Sequence, residues 1–166
     1  MAPEREAGDG REDFDFIHGG WHVAHRSLAD RADPDCDVWE RFEGTATAWP
    51  ILGGLGNVDR IMVPERPGAS AYEGCSFRLF EPRTRTWRIF WTSTARPGEL
   101  DPPVEGRFAD GVGRFEGADE LGGRAVRVRF EWTDITATGA RWQQFFSFDG
   151  GGTWKDNWTM DWTRTA

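Results

Sequence analysis

The sequence predicts an all-β protein, a single antiparallel up-and-down β-barrel of about ten strands with a short N-terminal plug segment. Three observations predict it. Apolar and polar residues alternate with period two along successive short segments, and no segment sustains a helical period. Hairpin signals separate those segments: Asp110-Gly111 and Gly122-Gly123 accommodate positive φ, and Pro82-Arg83-Thr84-Arg85 reads as a tight turn. The chain also closes on two aromatic-rich segments around one turn, a hairpin whose last strand can pair with the first and remove both open edges of a long meander. A barrel of roughly ten strands is wider than an eight-stranded one, whose own side chains nearly fill it, so a cavity is expected.

In chain order, residues 1–13 are charged and aperiodic and read as a disordered acidic leader, leaving 14–166 as the barrel domain. Phe14-Asp15-Phe16-Ile17 is expected to form a short turn that plugs one end. Trp21, Val23, His25 and Ser27 share one face of a first strand. After a polar loop from Asp30 to Asp37, Val38 to Trp49 forms the second strand and Asn57 to Val63 the third, which Pro64 stops. Tyr72 to Glu81 and Trp87 to Ser93 are the fourth and fifth. Arg96 to Pro103 is the least regular internal segment and reads as a rim loop. Val104 to Phe108, Val112 to Gly117 and Ala125 to Trp132 follow as strands six to eight. In the closing hairpin Trp142, Gln144, Phe146 and Phe148 share one face, as do Trp154, Trp158, Met160 and Trp162. Its turn, Ser147 to Trp154, fits S-x-D-x-G-x-T-W, the Asp-box hairpin found in several unrelated folds, in which the aspartate holds backbone N–H groups.

At 166 residues the chain is long enough for one domain with a full core, and 10 Trp and 12 Phe against 1 Tyr put much of its apolar surface into large rings. A formal charge of −8 argues against nucleic acid or an anionic membrane as partner. No apolar run approaches a membrane span and no secretory signal is visible. Cys36 and Cys75 lack metal-type spacing and read as free thiols of a cytoplasmic protein, monomeric or homodimeric, with no metal or other cofactor expected.

Gly19-Gly20-Trp21 at the start of the first strand and Arg164 at the end of the last resemble the G-x-W and late-arginine signature of the lipocalins and wider calycins. That resemblance implies a Trp plugging one barrel end with the Arg packed on it, a contact that cation–π attraction favours. A broader likeness runs from Asp13 to Arg164 through F-D-F-x-x-G-x-W, G-G-L-G-N-V-D, R-L-F-x-P-x-T-x-x-W-x-I-x-W, D-P-P-V-x-G-R-F-x-D-G-V-G-x-F and A-R-W-x-Q-x-F-S-x-D-G-G-x-T-W. These look like a bacterial family of calycin-like domains of unknown function, so the likeness implies a fold and almost no chemistry. Nitrobindin-like barrels bind haem through a histidine near the C-terminus. Here His18, His22 and His25 are all N-terminal, which disfavours haem.

The candidate functional residues are polar side chains on apolar, inward faces. His25 follows Trp21 and Val23 inward and is the candidate general acid or base, with Asp59 as the carboxylate that orients it. The alternatives are a core histidine hydrogen-bonded to backbone or to Asp59, and a salt bridge for Asp59. Asn57 shares the inner face of Asp59, with turn chemistry as its alternative. Gln144, between Trp142 and Phe146, is placed to hydrogen-bond a ligand or ordered water. Arg78 and Arg107 are unresolved in direction, and either, if inward, would hold a carboxylate bidentately. Trp91 and Trp158 can stack on a planar ligand or serve as core. Glycine-rich Gly53-Gly54-Leu55-Gly56 is not a phosphate loop, because it lacks the Lys-Ser/Thr ending and leads into a strand.

The leading expectation is a barrel that binds a small hydrophobic, aromatic or polyketide-like molecule. A cofactor-independent cyclase, isomerase or hydro-lyase working through His25 is the alternative, and a structural or dimerising domain with a filled core is the third reading.

Overall fold

The computed structural model describes residues 8–165. Ten strands form one closed barrel: β1 (Gly19–Leu28), β2 (Trp39–Ile51), β3 (Gly56–Val63), β4 (Tyr72–Glu81), β5 (Thr86–Ser93), β6 (Val104–Ala109), β7 (Val112–Leu121), β8 (Arg124–Thr133), β9 (Gly139–Ser147) and β10 (Lys155–Arg164). All neighbours are antiparallel and consecutive except β1 and β10, which close the ring with Val23 opposite Trp162 and His25 opposite Met160. Among the described residues no helix is long and apolar enough to cross a membrane.

Alternation decides which side chains enter. On β8, Val126, Val128 and Trp132 are buried, while Arg127 is exposed. Outside, opposite charges sit directly across strand pairs, as Arg114–Glu131 at 3.0 Å, Arg129–Glu116 at 2.8 Å and Arg141–Asp161 at 2.8 Å. Such cross-strand pairs add a few tenths of a kcal/mol each, about 0.2–1, and help hold register. The turns follow the local chemistry: Asp110-Gly111 and Gly122-Gly123 all have positive φ. In the Asp-box turn Asp149 accepts from the Thr153 N–H at 2.8 Å and from the Thr153 and Ser147 hydroxyls at 2.7 and 2.8 Å, which holds its carboxyl down at about 2.

One end is plugged. A single 3₁₀ turn, Asp15–Ile17, leads from the fully buried Phe14, whose ring meets Trp87 and Phe108 edge-on at 5.0 and 4.9 Å and stacks on Phe115 at 5.5 Å. Arg164 lies 4.1 Å over the Trp21 ring and donates to the His18 and Phe16 carbonyls, both at 2.7 Å. The Trp21 indole donates to the Ile17 carbonyl at 2.8 Å. Residues 1–7 of the expected leader lie outside the described residues. Its remainder, 8–13, is placed as turns, with Asp9 buried and the Gly10 carbonyl accepting from the Trp87 indole at 3.0 Å.

Close approach at this end requires glycine. Gly106, between Trp87 and Phe115 across its neighbouring strands, has no room for a Cβ, which would run into the Arg114 carbonyl oxygen. The obstacle is backbone, which cannot swing away. Gly106→Ala is therefore expected to cost about 1–3 kcal/mol, seen as a fall in Tm of roughly 2–4 °C per kcal/mol. An unchanged Tm would mean that β6 can shift freely.

The closing hairpin corrects one sequence expectation. Lys155 pairs with Phe146 and Asp156 with Phe145, but Trp158 pairs with Gln144, so Asn157 is an extra residue in β10. This bulge reverses the alternation. Trp158, Met160 and Trp162 keep their inward places, whereas Trp154 leaves their face and lies under Arg129 at 3.9 Å. Lys155 takes the inner parity and donates to the Pro34 and Cys36 carbonyls at 2.7 and 2.6 Å, tying the β1–β2 loop across the barrel end opposite the plug.

Candidate functional site

The interior holds a cavity of about 640 Å³ that opens at the end away from the plug. Phe42, Trp91, Trp132, Trp142 and Trp158 supply much of its wall. The rings meet edge-on, Trp142 to Trp158 at 5.2 Å and Trp91 to Trp158 at 6.1 Å, so they line the space without stacking on one another. Trp91 enters because β4 makes room for it: a Cβ on Gly74, opposite Ser93, would overlap the Trp91 ring.

At the plug end of the cavity Asp59 on β3 and Arg78 on β4 form a buried ion pair at 2.5 Å, with side chains 0% and 4% exposed. Arg78 also donates to Asn57 Oδ1 at 2.9 Å, and the Ser76 N–H donates to Asp59 at 3.3 Å. The guanidinium lies 5.2 Å over Phe14, so the plug is also the floor beneath it. Asp59, Ser76 and Arg78 line the cavity, and Asn57 stands behind them. A pair this deep is neutral as a unit: its charges are matched, and it presents a strong local dipole instead of a net charge.

Gln144, buried on β9, donates to Asn157 Oδ1 at 2.9 Å and lines the cavity wall. Asn157 was missed because the bulge that turns it inward is invisible to a strict period of two. Four cavity-lining residues also carry buried polar atoms with no hydrogen-bond partner: the Tyr72 hydroxyl, Arg78 Nε and the indole N–H groups of Trp132 and Trp162. Each of these is a donor, so what the interior lacks is acceptors.

Two sequence expectations are corrected here. The His25–Asp59 dyad does not form. Asp59 is taken by Arg78, and the side chain that reaches His25 is Trp158, whose indole donates to Nδ1 at 3.2 Å. His25 stacks on Phe42 at 4.6 Å, its Nε2 has no partner, and it is not among the cavity-lining residues. Burial, with Arg31 as a smaller cause, pushes its pKa down to about 3, so the imidazole is neutral at physiological pH. Arg107 is the other correction: on β6 the inward parity belongs to Val104, Gly106 and Phe108, so Arg107 faces solvent and donates to the Thr84 carbonyl at 3.4 Å. The structure thus brings Asp59, Asn57 and Arg78 together at the floor and Trp91, Gln144 and Trp158 along the wall. It leaves His25 behind the wall and Arg107 outside. Among the described residues no group of three or more His, Cys, Asp or Glu side chains could hold a metal ion.

No family model matches the chain, and no curated protein matches it. Among solved structures it is similar to a de novo designed fluorescence-activating β-barrel, at 12% identity over 91% of this chain and 95% of that one, with a TM-score of 0.48.

Proposed function

We propose that this barrel binds a small hydrophobic molecule, aromatic or polyketide-like, inside its cavity. The observation that carries the reading is the chemistry of the cavity itself. A space of about 640 Å³ is walled by tryptophan and phenylalanine, and its unsatisfied polar groups are donors. The volume is that of ordinary small-molecule sites, roughly 300–1,000 Å³. Flat rings favour a planar ligand body, and unpaired donors favour one bearing carbonyl or hydroxyl oxygens. The filled-core reading does not fit an interior of this size, and the position and neutrality of His25 give acid–base catalysis no support. Kinship with the calycins belongs to the same proposal, supported by the Arg164–Trp21 packing that the G-x-W resemblance implied. So does a cytoplasmic setting, supported by two free thiols, Cys36 and Cys75.

Neutral planar ketones such as anthraquinone test the reading. Saturable quenching of tryptophan fluorescence is expected, together with a rise in Tm, since ligand at one hundred times Kd stabilises by about 2.7 kcal/mol. Val128→Trp, which pushes an indole into the cavity from β8, is expected to weaken binding several-fold and to shrink both effects while the far-ultraviolet dichroism stays that of the barrel. Undiminished binding to this variant would place the ligand elsewhere.

A further inference from the structure

We propose that the open end of the cavity is an anion site built from Arg31, Arg66 and Tyr72, so that the ligand carries a carboxylate at its solvent-facing end. The proposal rests on the cavity-binding reading above and adds the ligand's charge and orientation.

The chain as a whole is acidic, at −8, yet three arginines converge on the cavity mouth from three different loops. Arg31 comes from the β1–β2 loop, Arg66 from the β3–β4 loop and Arg96 from the β5–β6 loop. Arg96 is already neutralised, paired with Asp101 and lying 3.6 Å from Glu99. Arg31 and Arg66 make no ion pair among the described residues, although Asp30, Glu40 and Asp119 also border the opening. Instead Arg31 lies 4.4 Å over the Trp158 ring, and Arg66 lies 4.7 Å over the Tyr72 ring and donates to the Ser70 carbonyl at 3.2 Å. A guanidinium stacked on an aromatic face keeps its edge N–H groups available, and two of them match the two oxygens of a carboxylate.

Tyr72 supplies the independent observation. It is 7% exposed, lines the same mouth, and its hydroxyl has no partner. Burial raises its pKa to about 12 while Arg31 and Arg66 pull the other way, which places both cations within electrostatic reach of that oxygen. A buried hydroxyl without a partner is costly unless a ligand satisfies it. Arg31 is also held in place, because Lys155 pins its loop through the Pro34 and Cys36 carbonyls. The two ends of the cavity therefore differ in kind. At the floor Arg78 is balanced by Asp59, and that end takes a neutral polar group. At the mouth acidic side chains are as numerous as the cations, but Arg31 and Arg66 are ion-paired with none of them among the described residues.

The test compares pyrene-1-carboxylate with pyrene-1-carboxamide, and the corresponding naphthalene pair, by tryptophan quenching at neutral pH and low salt. The carboxylates are expected to bind roughly tenfold tighter or more, as charge-assisted bonding to an arginine implies. Arg31→Gln is expected to bring each pair to parity, Tyr72→Phe to narrow the gap, and Arg107→Gln, outside the barrel, to leave it intact. Tyr72→Phe removes a single oxygen and keeps the test decisive if Arg31→Gln does not fold. Equal binding of acid and amide to the native protein, or a preference that survives both mouth substitutions, would overturn the anion site while leaving the cavity reading standing. Failure of every probe to bind would overturn both.

Discussion

Asp59→Ala is expected to destabilise the protein by about 3–5 kcal/mol, a large share of the roughly 5–15 kcal/mol that holds a domain together. The cause is the guanidinium left behind. Arg78 is 3% exposed and its remaining side-chain partner would be the neutral Asn57, so its charge would have no counterion in a region of low dielectric. Removing both charges is a different operation: Asp59→Leu with Arg78→Met is expected to recover most of the loss, because the desolvation of two ions disappears along with their attraction. Urea unfolding of the single and double variants checks this. A single variant within ~1 kcal/mol of wild type would mean that water reaches the floor and screens the pair. The double variant also separates stability from function, since the barrel should stand while its floor loses its polar anchor.

Acid should unfold the protein earlier than its carboxylates alone would require, because of His25. Folded, this histidine holds its pKa at about 3; unfolded, it returns to the ordinary 6.5. Above 6.5 both states are neutral and stability does not depend on this group. As pH falls below 6.5 the unfolded chain takes up a proton that the folded one refuses, and stability declines by about 1.4 kcal/mol per pH unit until the folded value is reached. The full loss is on the order of 4 to 5 kcal/mol. The carboxylates held low, such as Asp149, lose their contribution only further down, so the interval from about 6.5 to 5 belongs to His25. His25→Phe keeps the stacking on Phe42 and is expected to flatten the dependence of unfolding free energy on pH across that interval, whatever its effect on absolute stability. An unchanged slope would mean that the imidazole is protonated in the folded barrel.

These expectations draw on a fold that was largely legible in the chain, and the reason is physical. A meander pairs each strand with its neighbour in sequence, so turn chemistry at Asp110-Gly111 or Gly122-Gly123 sets register without long-range information. Inner faces such as Trp87 and Ile89, or Val126 and Val128, followed from alternation alone. Legibility ended where alternation did. The extra residue at Asn157 sent Trp154 outward and brought Lys155 to the mouth, and nothing in the local sequence marks it. β7 continues to Leu121, past the Gly117 at which its apolar pattern fades, because hydrogen bonding to β8 carries it on and Leu121 packs against the core at its end. The partner of Asp59 lies on the adjacent β4, where Arg78 had no settled direction in the sequence, and not on β1. Arg31 and Tyr72 illustrate the other limit: one is in a loop and one begins a strand, and only the closed ring brings both to a single opening.

The pairing of β1 with β10 has a bearing on how the molecule comes into being. Every other strand finds its partner within a short stretch of chain, but β1 must await a segment more than a hundred residues downstream. Until β10 has been synthesised, any sheet that the earlier strands form is an open ribbon, with β1 as one bare margin. The entropic cost of joining the margins rises only logarithmically with the intervening length, so it is the waiting time, more than the energy of closure, that exposes the nascent chain. Association between ribbons at this stage would compete with ring closure, and the final hairpin, whose turn is locked by Asp149, is the piece whose prompt formation settles that contest.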